Sequence, residues 1–200
     1  MILAKELKTK KRGIVALSTV TDPYQPIEKK YKLTRYCLEQ LLHYDFPVHI
    51  QTKSDLVLRD IDLISKFSYI EVMFSIGTLN DSERKILEPN TSPIKNRLDA
   101  MKKLSYIGIK TSVFFGPIYP TINPKEIEKI IDTFSINGSK EIMIDKFNLK
   151  PGIFDNLTSI LKKHPEVSFK NLKDTEHYNK IRNQIITLKE NKEVRIRDAF

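Results

Sequence analysis

A chain of 200 residues, 40% hydrophobic and 30% charged, is long enough to bury one core and too apolar to stay unfolded. Its single cysteine, Cys37, excludes an internal disulfide and a zinc site built on cysteines, and no apolar run nears the roughly 18 residues of a membrane span. The formal charge of +9 suits a phosphate-rich partner, but the lysines are spread along the chain, which favours a compositional bias over a clustered binding footprint.

The opening MILAKELKTKKRG reads as a short basic helix without a signal-peptide core, so a cytoplasmic location is the default expectation. Five short apolar runs follow: GIVALST (13–19), PVHIQT (47–52), YIEVMFSI (69–76), IKTSVFF (109–115) and EIMID (141–145). Near-continuous apolar character over so few residues predicts strands of a parallel sheet covered on both faces. Amphipathic stripes separate them: Leu33, Cys37, Leu38, Leu41 and Leu42; then Ile94, Leu98, Met101 and Leu104; then Ile127, Ile130, Ile131 and Phe134. Ser92-Pro93 predicts an N-cap with proline at the first helical position, and Asn123 to Glu126 predicts a capping box. Gly108 and Gly138 stand where the two helices should end. Beyond Gly152 a helix is expected over 153–163 and another over 174–190, the latter with Tyr178, Ile181, Ile185 and Leu188 on one face; the tail VRIRDAF receives no element.

Alternating strands and helices predict an α/β fold, a doubly wound sheet or a barrel, and no G-x-G-x-x-G follows any strand to support a dinucleotide fold. The unusual residues collect just past the strands: TVTDPYQPIE, TKSD, SIGTLND, GPIYPTIN and DKFNLKPG. Parallel α/β folds gather their ligands at those carboxyl ends. In the first of these, Pro23 and Pro26 stiffen the backbone around Asp22, Tyr24 and Gln25, with Glu28 just beyond; a rigid binding rim and a simple tight turn are both consistent with the spacing. Lys53 could meet a carboxylate or phosphate, or be a solvated lysine before a Ser54 or Asp55 helix cap. Ser75 is either bonded in the core or turned into the mouth, and Arg97 reads as a surface residue. The four histidines have no ligand spacing, and Cys37 reads as a core residue.

Taken together, VALSTVTDPYQPIEKKYKLTR, PVHIQTKSDLVLRDIDLI, SIGTLND with LEPNTSPIKNRLDAMKKL, and GPIYPTIN resemble the radical S-adenosylmethionine proteins of the spore photoproduct lyase-like or DNA repair photolyase-like kind, from about Lys5 to Gly152. The resemblance implies a partial (β/α)6 TIM-like barrel in which the five runs are strands two to six and the first strand is missing. It implies a barrel over 1–152 and a helical extension over 153–200 packed on it. It also implies S-adenosylmethionine and a [4Fe–4S] cluster held by C-x-x-x-C-x-x-C, which together generate a 5′-deoxyadenosyl radical. By position, Asp22, Tyr24, Gln25 and Glu28 fall where the superfamily binds the amino group of S-adenosylmethionine. Lys53, Ser54 and Ser75 fall on its carboxylate and ribose side, and Arg97 is a further candidate.

The three cluster cysteines do not occur in these 200 residues. The expectation is therefore a truncated or split member, inactive alone, whose cluster belongs to an N-terminal segment lost through a late start or an interrupted gene, or carried on a separate fragment; whether the chain itself is an enzyme stays open. A cluster-free barrel that binds a nucleotide-like ligand or a protein, and a basic nucleic-acid-binding module, are the alternatives. An uncovered first strand would also invite self-association.

Overall fold

The computed structural model describes residues 2–17, 20–147, 152–165, 167, 169, 175–189 and 194–199. In chain order the elements are α1 (Ile2–Leu7), β1 (Val15–Leu17), α2 (Glu28–Tyr31), α3 (Leu33–His43) and β2 (Val48–Thr52). A 3-10 turn (Asp55–Asp60) leads into α4 (Ile61–Ile64), followed by β3 (Ile70–Ser75), α5 (Asp81–Leu87), α6 (Ile94–Tyr106) and β4 (Lys110–Phe115). After a second 3-10 turn (Pro124–Glu126) come α7 (Ile127–Ile136), β5 (Glu141–Ile144), α8 (Ile153–Lys163), α9 (Thr175–Lys189) and β6 (Arg195–Asp198). The strands form one sheet in the order β1-β2-β3-β4-β5-β6, every pair parallel, which is the α/β architecture expected of a partial barrel.

All five expected strands are present, and the tail adds a sixth beside β5, Ile142 pairing with Ile196. One apolar residue in RIRD, the buried Ile196, is too little periodicity to announce a strand. Of the DKFNLKPG stretch, residues 148–151 lie outside the described residues.

The sheet is not apolar on both faces. Val48, Ile50, Val72, Phe74, Val113, Phe115, Ile142 and Ile144 turn to the helix-covered core. The opposite face carries polar groups bonded to one another across strands: Gln51 Nε2 donates to Ser75 Oγ (3.1 Å), and Ser112 Oγ donates to Glu71 Oε1 (2.6 Å). Lys110 Nζ lies 2.9 Å from Glu71 Oε2, with His49 Nδ1 at 3.8 Å. Burial works to raise the Glu71 carboxyl, yet bonds from His49, Ser112 and Lys110 hold it at about 2, against an ordinary 4.5. Because the folded-state value is depressed, this contribution to stability is full above pH 4.5 and is lost as pH falls toward 2. The midpoint of urea unfolding should decline over that window, and Glu71→Gln should make the decline shallower; equal slopes for both proteins would refute this.

The helical stripes dock with two adjustments. Ile127, Ile130, Ile131 and Phe134 are all buried, as are Ile181 and Ile185 of α9, which packs on α7. In α3 the stripe is rotated: Leu38 and Leu41 are buried with Thr34, while Leu33, in the first turn, is exposed. The start of α6 is not capped by Ser92. Pro93 is the N-cap, and Asp81 of α5 accepts a bond from the Ile94 N–H (3.0 Å). Gly108 and Gly138 end their helices at φ 85° and 97°, the left-handed region glycine adopts without strain.

Among the described residues β1 pairs only with β2, so its outer edge is open. No helix among them is long and apolar enough to cross a membrane.

Candidate ligand cleft at the carboxyl ends of the strands

The loop after β1 is held by its own carboxylate. Asp22 Oδ1 accepts from the Tyr24 N–H (2.8 Å) and Thr52 Oγ1 (2.7 Å), and Oδ2 accepts from the Lys53 N–H (2.6 Å). Asp22 therefore stitches the first loop to the end of β2 and fixes where Lys53 leaves the sheet. Tyr24 is buried under this loop, 1% exposed, with its ring facing the Arg59 guanidinium at 5.9 Å. Burial, and the Asp60 carboxylate beside its hydroxyl, raise its pKa far above the ordinary range.

Glu28 turns away from the mouth. Its Oε2 accepts from the Leu33 N–H (2.9 Å), and its Oε1 accepts from the Thr34 N–H (3.1 Å) and Arg59 Nη2 (2.8 Å). The carboxylate thus satisfies the free N–H groups at the start of α3, where the helix dipole also favours negative charge. Arg59 is shared with Asp60, itself fully buried and bonded to Arg35 Nη1 at 3.0 Å. Ser54 caps the first 3-10 turn, its Oγ accepting from the Leu56 N–H (3.2 Å).

Arg97, read from the sequence as a surface arginine, is fully buried. It sits on the inward stripe of α6, three residues from Ile94 and four from Met101, and that spacing was the available signal. Its Nε donates to the Ser92 carbonyl (2.8 Å), Nη1 to the Ser75 carbonyl (2.8 Å), and Nη2 to Glu88 Oε2 (2.9 Å) and to Thr91 Oγ1. Glu88 is the residue the sequence reading passed over. Its Oε1 receives Lys53 Nζ at 2.8 Å and the Tyr119 hydroxyl at 3.3 Å. Burial would raise the Glu88 carboxyl; Lys53 and Arg97 outweigh it and hold it below its usual range. Two cations thus share one carboxylate.

These bonds bring Asp22, Lys53, Ser75 and Arg97 into one connected structure at the carboxyl ends of β2 and β3. Gly77 keeps the loops after β3 and β4 together, since a Cβ there would lie 2.7 Å from the Pro117 carbonyl oxygen and from the Tyr119 ring. Lys53, with a third of its side chain exposed, borders an open cleft of about 540 Å³ together with Asp22, Tyr24, Gln25, Ser54 and Asn90. That volume is within the usual range for small ligands, about 300–1,000 Å³. The residues that face it with free polar groups, the Gln25 and Asn90 amides beside the Lys53 cation, fit a ligand carrying a carboxylate and a nucleoside.

The chain does not itself fit an iron–sulfur cluster. It has one cysteine, Cys37, half-buried in α3 with its thiol pKa raised by burial and by Glu28, the opposite of a reactive thiolate. Among the described residues no cluster of three His, Cys, Asp or Glu could hold a metal ion.

Comparison with known proteins gives a consistent answer. The model of the radical SAM superfamily matches residues 2–134. An uncharacterized protein of Methanocaldococcus jannaschii is 43% identical over 111 residues, 56% of this chain and 42% of that protein. A radical SAM Nα-GlyT isomerase of Pseudomonas phage M6 is 25% identical over 128 residues, 64% of this chain and 27% of that one. Among solved structures, Streptococcus suis SuiB bound to S-adenosylmethionine superposes with a TM-score of 0.66 at 13% identity, covering 99% of this chain and 41% of SuiB. A spore photoproduct lyase mutant with dinucleoside spore photoproduct gives 0.66 at 14% identity, covering 100% and 66%. The chain spans less than half the length of the curated relatives named here.

Proposed function

The chain belongs to the radical SAM superfamily, and from that premise we propose that its cleft is the binding face for S-adenosylmethionine. The single observation that carries this is Lys53: a cation held at the rim of a nucleoside-sized cleft, supported from beneath by Glu88 and Arg97. Lys53 receives the ligand carboxylate, while Gln25, Ser54 and Asn90 supply hydrogen bonds around it. Asp22, Glu28 and Arg97 act as positioning residues, because their polar atoms are engaged within the protein. Ser75, 5% exposed and bonded to Gln51, does not line the cleft and acts through its carbonyl, which holds Arg97, while Tyr24 forms the buried floor.

In enzymes of this superfamily the bound cofactor supplies a 5′-deoxyadenosyl radical that abstracts hydrogen. The residues here bind and orient the cofactor; with Cys37 as the one cysteine of these 200 residues, three thiolates for a cluster would have to be supplied by other polypeptide. The open edge of β1 is where such a polypeptide, or a second copy of this chain, could add a parallel strand.

Calorimetric titration with S-adenosylmethionine tests the reading. Lys53→Met should weaken binding by roughly tenfold to a hundredfold, the usual worth of a hydrogen bond to a charged group. Equal affinity for both proteins would remove Lys53 from the site, and no binding to the unaltered chain would remove the function.

A further inference from the structure

Lys53 also lines a second cavity. Beside that cleft, a slot of about 300 Å³ lies between the segments that follow β2, α5, β4 and β5 and helix α8, with Leu157 of α8 among its lining residues. α8 therefore covers part of the strand ends, a place for the extension that sequence periodicity could not supply.

The walls of the slot are aromatic. Phe169 stands edge-on to Tyr119, with 5.9 Å between ring centroids and 61° between planes, and edge-on to Phe147 at 6.0 Å and 75°. Polar groups occur at two places: the Lys53–Glu88 pair with the Tyr119 hydroxyl, and Asn156, whose exposed amide offers both donors and an acceptor. The volume stands at the lower end for small-ligand sites, room for one ring system; the larger cleft is the one sized for a nucleoside with an amino-acid tail.

Resting on the reading of that cleft as the cofactor's, we propose that the slot receives a flat aromatic ring of the molecule on which the bound cofactor acts. Three aromatic side chains meeting edge-to-face recognise a fourth ring through the same quadrupole geometry, and the two polar places read hydrogen-bonding groups at its edge. Because Lys53 alone is common to both cavities, a ring in the slot lies one side chain away from the cofactor, as a hydrogen donor must.

Saturation-transfer NMR on the 200-residue chain, with thymidine, N-acetyltyrosinamide, adenosine and N-acetylleucinamide as probes, tests this beside calorimetry with S-adenosylmethionine. Saturable binding of thymidine or N-acetyltyrosinamide is expected, the stronger of the two identifying whether the ring is a base or an aromatic side chain. Phe147→Leu should weaken it about fivefold and leave S-adenosylmethionine affinity unchanged. Binding of adenosine alone, displaced by S-adenosylmethionine, would give the slot to the cofactor's own base and overturn the proposal. So would equal binding of the leucine amide, or ring binding indifferent to Phe147→Leu. Ring binding without any S-adenosylmethionine binding would overturn the cofactor reading instead, and with it the assignment of the ring to that reaction.

Discussion

Replacing Arg97 by methionine is expected to lower the free energy of unfolding by about 3 kcal/mol, the low end of the cost of breaking a buried ion pair, because Glu88 keeps Lys53. The substitution strips Glu88 of one of its two cations and removes the donor from the carbonyl oxygens of Ser75 and Ser92 and from the Thr91 hydroxyl. Urea unfolding measures the loss. Glu88→Leu together with Arg97→Met should recover much of it, since a buried pair replaced by apolar side chains of similar volume is often close to neutral. A loss under about 1 kcal/mol for the single change, well below the buried-pair range, would mean that Arg97 is not the post on which the mouth of the barrel stands.

Glu28→Ala should cost about 3 kcal/mol, because it uncaps α3 and leaves Arg59 without one of its carboxylates in a half-buried setting. The diagnostic is local. Amide exchange at Leu33 and Thr34 should accelerate more than in the rest of α3, whereas affinity for S-adenosylmethionine should change little in Glu28→Gln. The reverse pattern, intact stability with lost affinity, would place the carboxylate on the ligand.

These two residues show where reading the sequence succeeds and where it stops. Apolar runs located all five expected strands because β2 to β5 send a Val, Ile or Phe to the helix-covered core at every second residue, although the face between them proved polar. Stripes located the helices for the same reason. What composition cannot express is a charge that earns its burial through geometry. Arg97 occupies an apolar stripe position, but its partners lie 5, 6, 9 and 22 residues away, on a loop and on the end of β3. Glu88 lies beside a proline in a loop and shows no periodicity at all. Glu28 was rightly placed near the bend, yet the direction of its carboxylate depends on Lys32, whose φ of 52° turns the chain so that α3 begins over it. The bend itself was legible as rigid; that Asp22 ties it to Lys53 was not. The edge strand β6 escaped because an edge needs only one buried residue in four.

The arrangement of two cations about one carboxylate leaves the mouth electrically unfinished. Lys53 and Arg97 together carry one positive charge more than Glu88 alone can answer, and the Asp22 carboxylate on the same rim is taken up by backbone and hydroxyl donors. The carboxylate of a visiting ligand completes the set, so its arrival should tighten the very loops that admit it. Occupancy and rigidity in this protein are then two readings of the same missing negative charge.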